Sequence, residues 1–137
     1  MRLPRLAPRQ VLGARLMRIL AVDDDADFLE LLEELFRGAG MDLTTCTSGP
    51  RALTLLEERP YDVVMVDLVM PVMDGRALAK RIRRRPRHAG LPIVMMTHMS
   101  NVGFIDDAGA GDSHHFINKG GEPSSIVQLV SHLAGRR

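Results

Sequence analysis

From Ile19 onward, short apolar runs alternate with stretches in which apolar residues return every three or four positions. Ile19–Val22 is an apolar run closed by acids, too short for a helix, and predicts a buried strand. Phe28, Leu31, Leu32, Leu35 and Phe36 then recur at helical spacing up to the stop signals Gly38 and Gly40. Leu43–Cys46, rich in Thr, predicts a second strand, and Ser48 is placed to cap a helix with Ala52, Leu55 and Leu56 as its apolar stripe. Val63–Val66 is apolar throughout, as a strand covered on both faces must be, and it runs directly into Asp67. A third helix is predicted from Gly75 to Arg84, with Leu78, Ala79 and Ile82 inward and Pro86 and Gly90 as its stop. Pro92–Thr97 predicts a fourth strand and Phe116–Ile117 a fifth. Ile126, Val127, Val130 and Leu133 predict a closing helix that opens near Pro123 and Ser124. Between those strands, Asn101–Asp112 holds Gly103, Gly109 and Gly111, and each glycine costs a helix about 1 kcal/mol against Ala, so a helix there would be poor.

This alternation implies an α/β fold, a doubly wound five-stranded parallel sheet with helices on both faces, because each parallel crossover needs a helix and is right-handed. Ligands of such folds bind outside the carboxyl ends of the strands, where the strand order reverses. At 137 residues the chain fits one domain. Its single cysteine, Cys46, excludes an internal disulfide framework and a Cys-based zinc site, which favours a reducing, cytoplasmic compartment. No apolar run approaches the roughly 20 residues needed to cross a bilayer, so no membrane partner is expected.

The net charge of +1 is unevenly spread: residues 1–18 hold five Arg and no acid, leaving the remainder acidic. With Pro4, Pro8, Gly13 and no clear periodicity, residues 1–16 are expected to be a basic, disordered arm, and residues 17–137 the folded domain. Initiation at Met17 would remove the arm altogether.

The strand ends concentrate polar chemistry. Asp23-Asp24-Asp25 follows the first strand, Asp67 the third, Thr97 ends the fourth, and Lys119 follows the fifth. Asp25 reads most simply as the cap of the first helix. The other acids need a compensating charge, since two carboxylates about 4 Å apart repel by about 4 kcal/mol at an effective dielectric near 20. An open, all-oxygen site of two or three carboxylates suits Mg²⁺, which keeps waters and accepts a phosphate. Asp67 is held by its strand and can act as a nucleophile if nearby cations neutralise a transferring phosphoryl group, a role that Lys119 and the Thr97 hydroxyl could assist.

These residues resemble the receiver domain of two-component response regulators, over about Met17 to Leu133. The resemblance rests on Ile19-Leu20-Ala21-Val22-Asp23-Asp24-Asp25, on Asp67-Leu68-Val69-Met70-Pro71-Val72-Met73-Asp74-Gly75, on Pro92-Ile93-Val94-Met95-Met96-Thr97, and on Lys119. It implies the flavodoxin-like strand order 2-1-3-4-5. It also implies that Asp67 accepts a phosphoryl group from a phosphohistidine, with Mg²⁺ held by Asp23, through water, and by Asp24, Asp67 and the Val69 carbonyl. Lys119 would pair with the phosphoryl oxygens. Thr97 would move to bond them and let Phe116 turn inward, a two-state switch.

Four departures bear on this. Gly120-Gly121 follow Lys119 where the family usually has a proline, which would loosen the loop. His98 stands where a small residue is usual and could restrict the pocket. Val69 and Met99, at positions where the family tunes hydrolysis, are apolar, implying slow dephosphorylation. The glycine-rich 101–112 stretch implies a remodelled or mobile signalling face.

The histidines show no ligand spacing; the basic run Arg81, Arg83, Arg84, Arg85 and Arg87 reads as a solvated helix end; and Met65, Met70, Met73, Met95, Met96 and Met99 read as packing. The expectation is therefore a stand-alone phospho-acceptor in two-component signalling or a phosphorelay, rather than an enzyme in the ordinary sense. It would be a monomer or weak dimer, served by a histidine kinase or histidine phosphotransfer protein and acting on a downstream protein target, without nucleic acid. The alternatives are a receiver-like module that binds without phosphorylation, and a haloacid-dehalogenase-like Mg²⁺ phosphatase suggested by Asp23-x-Asp25. The latter lacks a hydroxyl or β-branched residue at Ala26.

Overall fold

The computed structural model describes residues 11–12, 15–98 and 115–135. A small antiparallel pair, β1 (Val11–Leu12) and β2 (Arg15–Leu16), precedes the main sheet. That sheet is built from β3 (Arg18–Val22), β4 (Asp42–Cys46), β5 (Val63–Asp67), β6 (Ile93–Thr97) and β7 (His115–Asn118). Its spatial order is β4-β3-β5-β6-β7 with every pair parallel, so the five main strands follow the expected 2-1-3-4-5 order. The helices are α1 (Ala26–Gly38), α2 (Gly49–Glu58), α3 (Gly75–Arg83) and α4 (Pro123–Gly135), with a 3₁₀ turn over Pro86–His88.

Alternation along the central strands divides the core into two layers, because successive side chains point to opposite faces. Leu20 and Val22, Val64 and Val66, and Ile93 and Met95 face α2 and α3. Ile19 and Ala21, Val63 and Met65, and Val94 and Met96 face α1 and α4. All twelve are fully buried. Burying each of the larger aliphatic side chains is worth about 1.5–3 kcal/mol, so these strands anchor both layers of the core.

The caps follow the expected chemistry. Asp25 accepts hydrogen bonds from the Asp27 and Phe28 N–H groups, Ser48 from Arg51 N–H, and Asp74 from Ala77 N–H. The α1 stripe differs by about one position from its spacing-based reading: Leu31 is 41% exposed, and Leu29 is buried alongside Phe28, Leu32 and Phe36. Residues one and four apart make the narrower stripe here, and Leu35 packs only at its margin.

Within the stretch expected to be a basic arm, the described residues Arg15 and Leu16 form β2. Arg15 makes a two-pronged contact with Asp62, at 2.8 and 2.9 Å, and the same carboxylate accepts the Arg18 N–H at 2.8 Å. Asp62 is buried just before β5, and the guanidinium supplies its counter-charge. The basic run after α3 is also more than a solvated face. Arg83 donates to the His88 and Leu91 carbonyls, Arg87 to the Leu56 carbonyl, and Arg85 and Arg87 both reach Glu57 at 3.0 Å. Expectations for Met99 and the 101–112 stretch lie outside the described residues.

Candidate functional site

The carboxyl ends of β3 and β5 are adjacent in the sheet, and the loops leaving them carry the acids. Asp23 directly follows β3, its N–H bonded to the Cys46 carbonyl of β4 at 3.1 Å, and it is fully buried. One of its oxygens accepts the Asp25 N–H at 2.9 Å. The other lies 2.7 Å from Lys119 Nζ. Asp24, next along, is exposed. Asp67 is the last residue of β5 and is buried; its Oδ1 accepts the Val69 N–H at 3.3 Å, and its Oδ2 is 3.7 Å from Lys119 Nζ. One carboxylate oxygen from each of Asp23, Asp24 and Asp67 falls within 4.8 Å of the others.

Lys119 is held from three sides. Its N–H donates to the Thr97 carbonyl at 2.8 Å, its ammonium pairs with Asp23, and that ammonium stands 4.8 Å from the centroid of the Phe28 ring. The side chain is almost entirely buried. Thr97 closes β6 beside it, is itself buried, and donates its hydroxyl hydrogen to the His98 carbonyl at 3.1 Å. The glycines after Lys119 form a tied turn rather than a loose loop: Gly120 N–H donates to the Asn118 side chain and Gly121 N–H to the Asn118 carbonyl, each at 2.9 Å. His98 is exposed. Phe116, opposite Met95 in the ladder, is half-buried against the α2/α3 layer.

The electrostatics favour a divalent cation. With the three acids ionised, Lys119 leaves two negative charges uncompensated, the charge of one such ion. Burial pushes the Asp67 carboxyl from 3.8 up to about 7, with the charge of Asp23 adding to the effect, while Lys119 and the Val69 N–H pull it down. A hard cation bound by these oxygens would reverse that shift, so the donor set fits Mg²⁺.

Three supporting features carry little or no sequence signal. Gly75 packs so closely on the acceptor strand that a Cβ would lie 2.5 Å from the Asp67 carbonyl and 2.8 Å from Leu68 Cα. The Gly75 N–H donates to the Leu68 carbonyl at 2.9 Å. Val72 is fully exposed at φ 70°, at the apex of a turn closed by Met73 N–H to the Pro71 carbonyl at 2.8 Å. Phe28 looks in the sequence like one more apolar residue of α1, and only the tertiary fold brings it to Lys119.

Comparison with known proteins shows the family. Residues 19–131 match the response regulator receiver domain. The chain belongs to that family. It is 36% identical over 118 residues to the DNA-binding response regulator MtrA of Mycolicibacterium paratuberculosis, covering 82% of this chain and 49% of that protein. It is 36% identical over 109 residues to the DNA-binding transcriptional regulator NtrC of Klebsiella pneumoniae, covering 80% and 23%. This receiver chain thus spans about half the length, or less, of those curated relatives. A response regulator structure from Chloroflexus aurantiacus J-10-fl superposes with a TM-score of 0.81 at 32% identity, covering 88% of this chain and 98% of that one. The receiver domain of a Pseudomonas aeruginosa PAO1 sensor histidine kinase, solved with a magnesium ion coordinated in its active site cleft, shares the fold (TM-score 0.78, 21% identity, 87% and 98% covered). Acceptance of a phosphoryl group on an aspartate is general for the family, and among the described residues no helix is long and apolar enough to cross a membrane.

Proposed function

We propose that this receiver domain accepts a phosphoryl group on Asp67 from a phosphohistidine of a histidine kinase or histidine phosphotransfer protein, in a Mg²⁺-dependent reaction. The observation that supports it most is the meeting of Asp23, Asp24 and Asp67 within 4.8 Å, with the Lys119 ammonium between two of them. Asp23, Asp24, Asp67 and the Val69 carbonyl are the groups that would hold the ion. When bound, Mg²⁺ would supply positive charge to phosphoryl oxygens.

The chain's own groups account for the rest. An Asp67 carboxylate oxygen attacks phosphorus while the phosphorus–nitrogen bond of the donor breaks; its electron pair stays on the imidazole, and the product is an aspartyl phosphate. Lys119, fixed by Asp23, Phe28 and the β6 backbone, is preorganised to neutralise charge on the transferred group. The Thr97 hydroxyl, now turned to the His98 carbonyl, would exchange that acceptor for a phosphoryl oxygen. Phe116 would respond by rotating inward, altering the surface offered to a downstream protein target. The apolar side chain of Val69, two residues beyond the acceptor, has no polar group to orient a water, so hydrolysis of the aspartyl phosphate would be slow.

Incubation of the full chain with acetyl phosphate and Mg²⁺, followed by intact-mass measurement, tests this reading. Gain of one phosphoryl group that is absent in Asp67→Asn and without Mg²⁺ is expected. Equal modification of Asp67→Asn would overturn it.

A further inference from the structure

A second concentration of charge lies away from the strand ends. Residues 75–88 carry seven Lys and Arg and no acid. Between α2 and α3 this segment borders a groove of about 320 Å³, with Leu53, Leu56 and Ile82 in its lining and Arg81, Arg84 and Arg85 around it. The dipole of α3 places only about half a negative charge at its C-terminus, too little to balance this cluster. Glu57 is engaged by Arg85 and Arg87, whereas Arg81 and Arg84 are exposed and enter no ion pair among the described residues. The groove is also braced, because Arg83 and Arg87 fasten the turn after α3 to backbone carbonyls.

We propose that this groove is a docking site for an acidic amphipathic segment of a partner protein. Such a segment would lay an apolar side chain against Leu53 and direct carboxylates to Arg81 and Arg84, whose planar guanidinium groups can each donate two parallel N–H bonds to one carboxylate. The composition of the groove favours this occupant over nucleic acid: its lining holds no Phe, Tyr or Trp on which successive bases would stack, and an apolar floor gains nothing from a phosphate backbone. Its concave shape equally disfavours a flat lipid surface. The lining shares no residue with the acidic site, so the proposal stands apart from the phosphorylation reading.

The test titrates the full chain into a fluorescein-labelled helical peptide of alternating Glu and Leu pairs, read by anisotropy. Saturable binding is expected that weakens with salt, falls by about tenfold in the double variant Arg81→Glu, Arg84→Glu, and falls again when the peptide leucines become serine. Amide shifts of the unmodified chain on peptide addition should centre on Leu53, Thr54 and His88, a readout independent of whether the variant folds. Absence of saturable binding, shifts centred elsewhere, or stronger binding of a DNA oligonucleotide or of phosphatidylserine vesicles would overturn the proposal.

Discussion

Gly75 and Asp67 are in backbone contact, with no space between them for even a methyl group. The first turn of α3 therefore rests directly on the strand end that carries the candidate acceptor. Gly75→Ala must push the two apart. It is expected to destabilise the fold by about 1–3 kcal/mol, the usual range for overpacking a tight interior. Urea denaturation measures this, and amide shifts of Leu68 and Val69 should report the displacement.

Val72 gives the opposite case in the same loop. A β-branched residue at φ 70° carries a backbone penalty that glycine does not, about 1–2 kcal/mol. Glycine's greater freedom in the unfolded chain returns part of that gain. Val72→Gly is expected to be neutral to about 1 kcal/mol stabilising, seen as an unchanged or raised Tm. The side chain is fully exposed, so no packing is lost.

Lys119 and Phe28 form a cation–ring contact at 4.8 Å inside a buried site. Phe28→Leu keeps the apolar character of α1 but removes the ring face, a loss of about 1–2 kcal/mol for a desolvated contact. The expected outcome is slower phosphorylation by acetyl phosphate with little change in the far-ultraviolet spectrum. Lys119→Met should cost more, about 3–5 kcal/mol of stability, because it leaves the buried Asp23 carboxylate without its cation.

The pH dependence follows from Asp67. Its carboxyl is raised from 3.8 to about 7, so between those values the folded chain holds a proton that the unfolded chain has released. The contribution of this group to stability is therefore present at low pH, declines as pH rises towards 7, and levels off above it. Mg²⁺ binding needs the ionised form: affinity should climb with pH up to about 7, and binding below that pH should release a proton. Calorimetry in buffers of different ionisation enthalpy measures the release, and Asp67→Asn should abolish it.

The alternation of apolar runs and helical stripes was sufficient to place every strand of the sheet, because each central strand is covered on both faces and its composition reflects that. The acids and Lys119 were legible for a different reason: they stand at fixed offsets from strand ends, and a strand end has one direction to point. Leu31 was misplaced because a helix with large apolar residues at six positions, Phe28, Leu29, Leu31, Leu32, Leu35 and Phe36, admits two neighbouring stripes, and the choice depends on the sheet beneath it. Arg15 gave no signal, since its partner Asp62 is 47 residues away and ordinary in its local sequence. Phe28 and Gly75 were visible only as an apolar helix residue and as the first residue of the third helix, their second roles being purely spatial.

Arg15 also supplies a stability test. Removing residues 1–16, so that the chain begins at Met17, deletes the guanidinium paired with Asp62, and charged hydrogen bonds of this kind are worth about 1.5–3 kcal/mol. The shortened chain is expected to melt at lower temperature than the full chain, and Arg15→Ala should reproduce most of the difference.

The candidate cation site has one stiff wall and one compliant wall. Asp67 belongs to the ladder of β5, the next residue is bonded to β6, and Gly75 is pressed against it from behind. Asp24 sits on an exposed bend outside the sheet. On the proposed reading, an arriving ion would draw Asp24 in more readily than it would displace Asp67, so the acceptor would keep its place at the strand end.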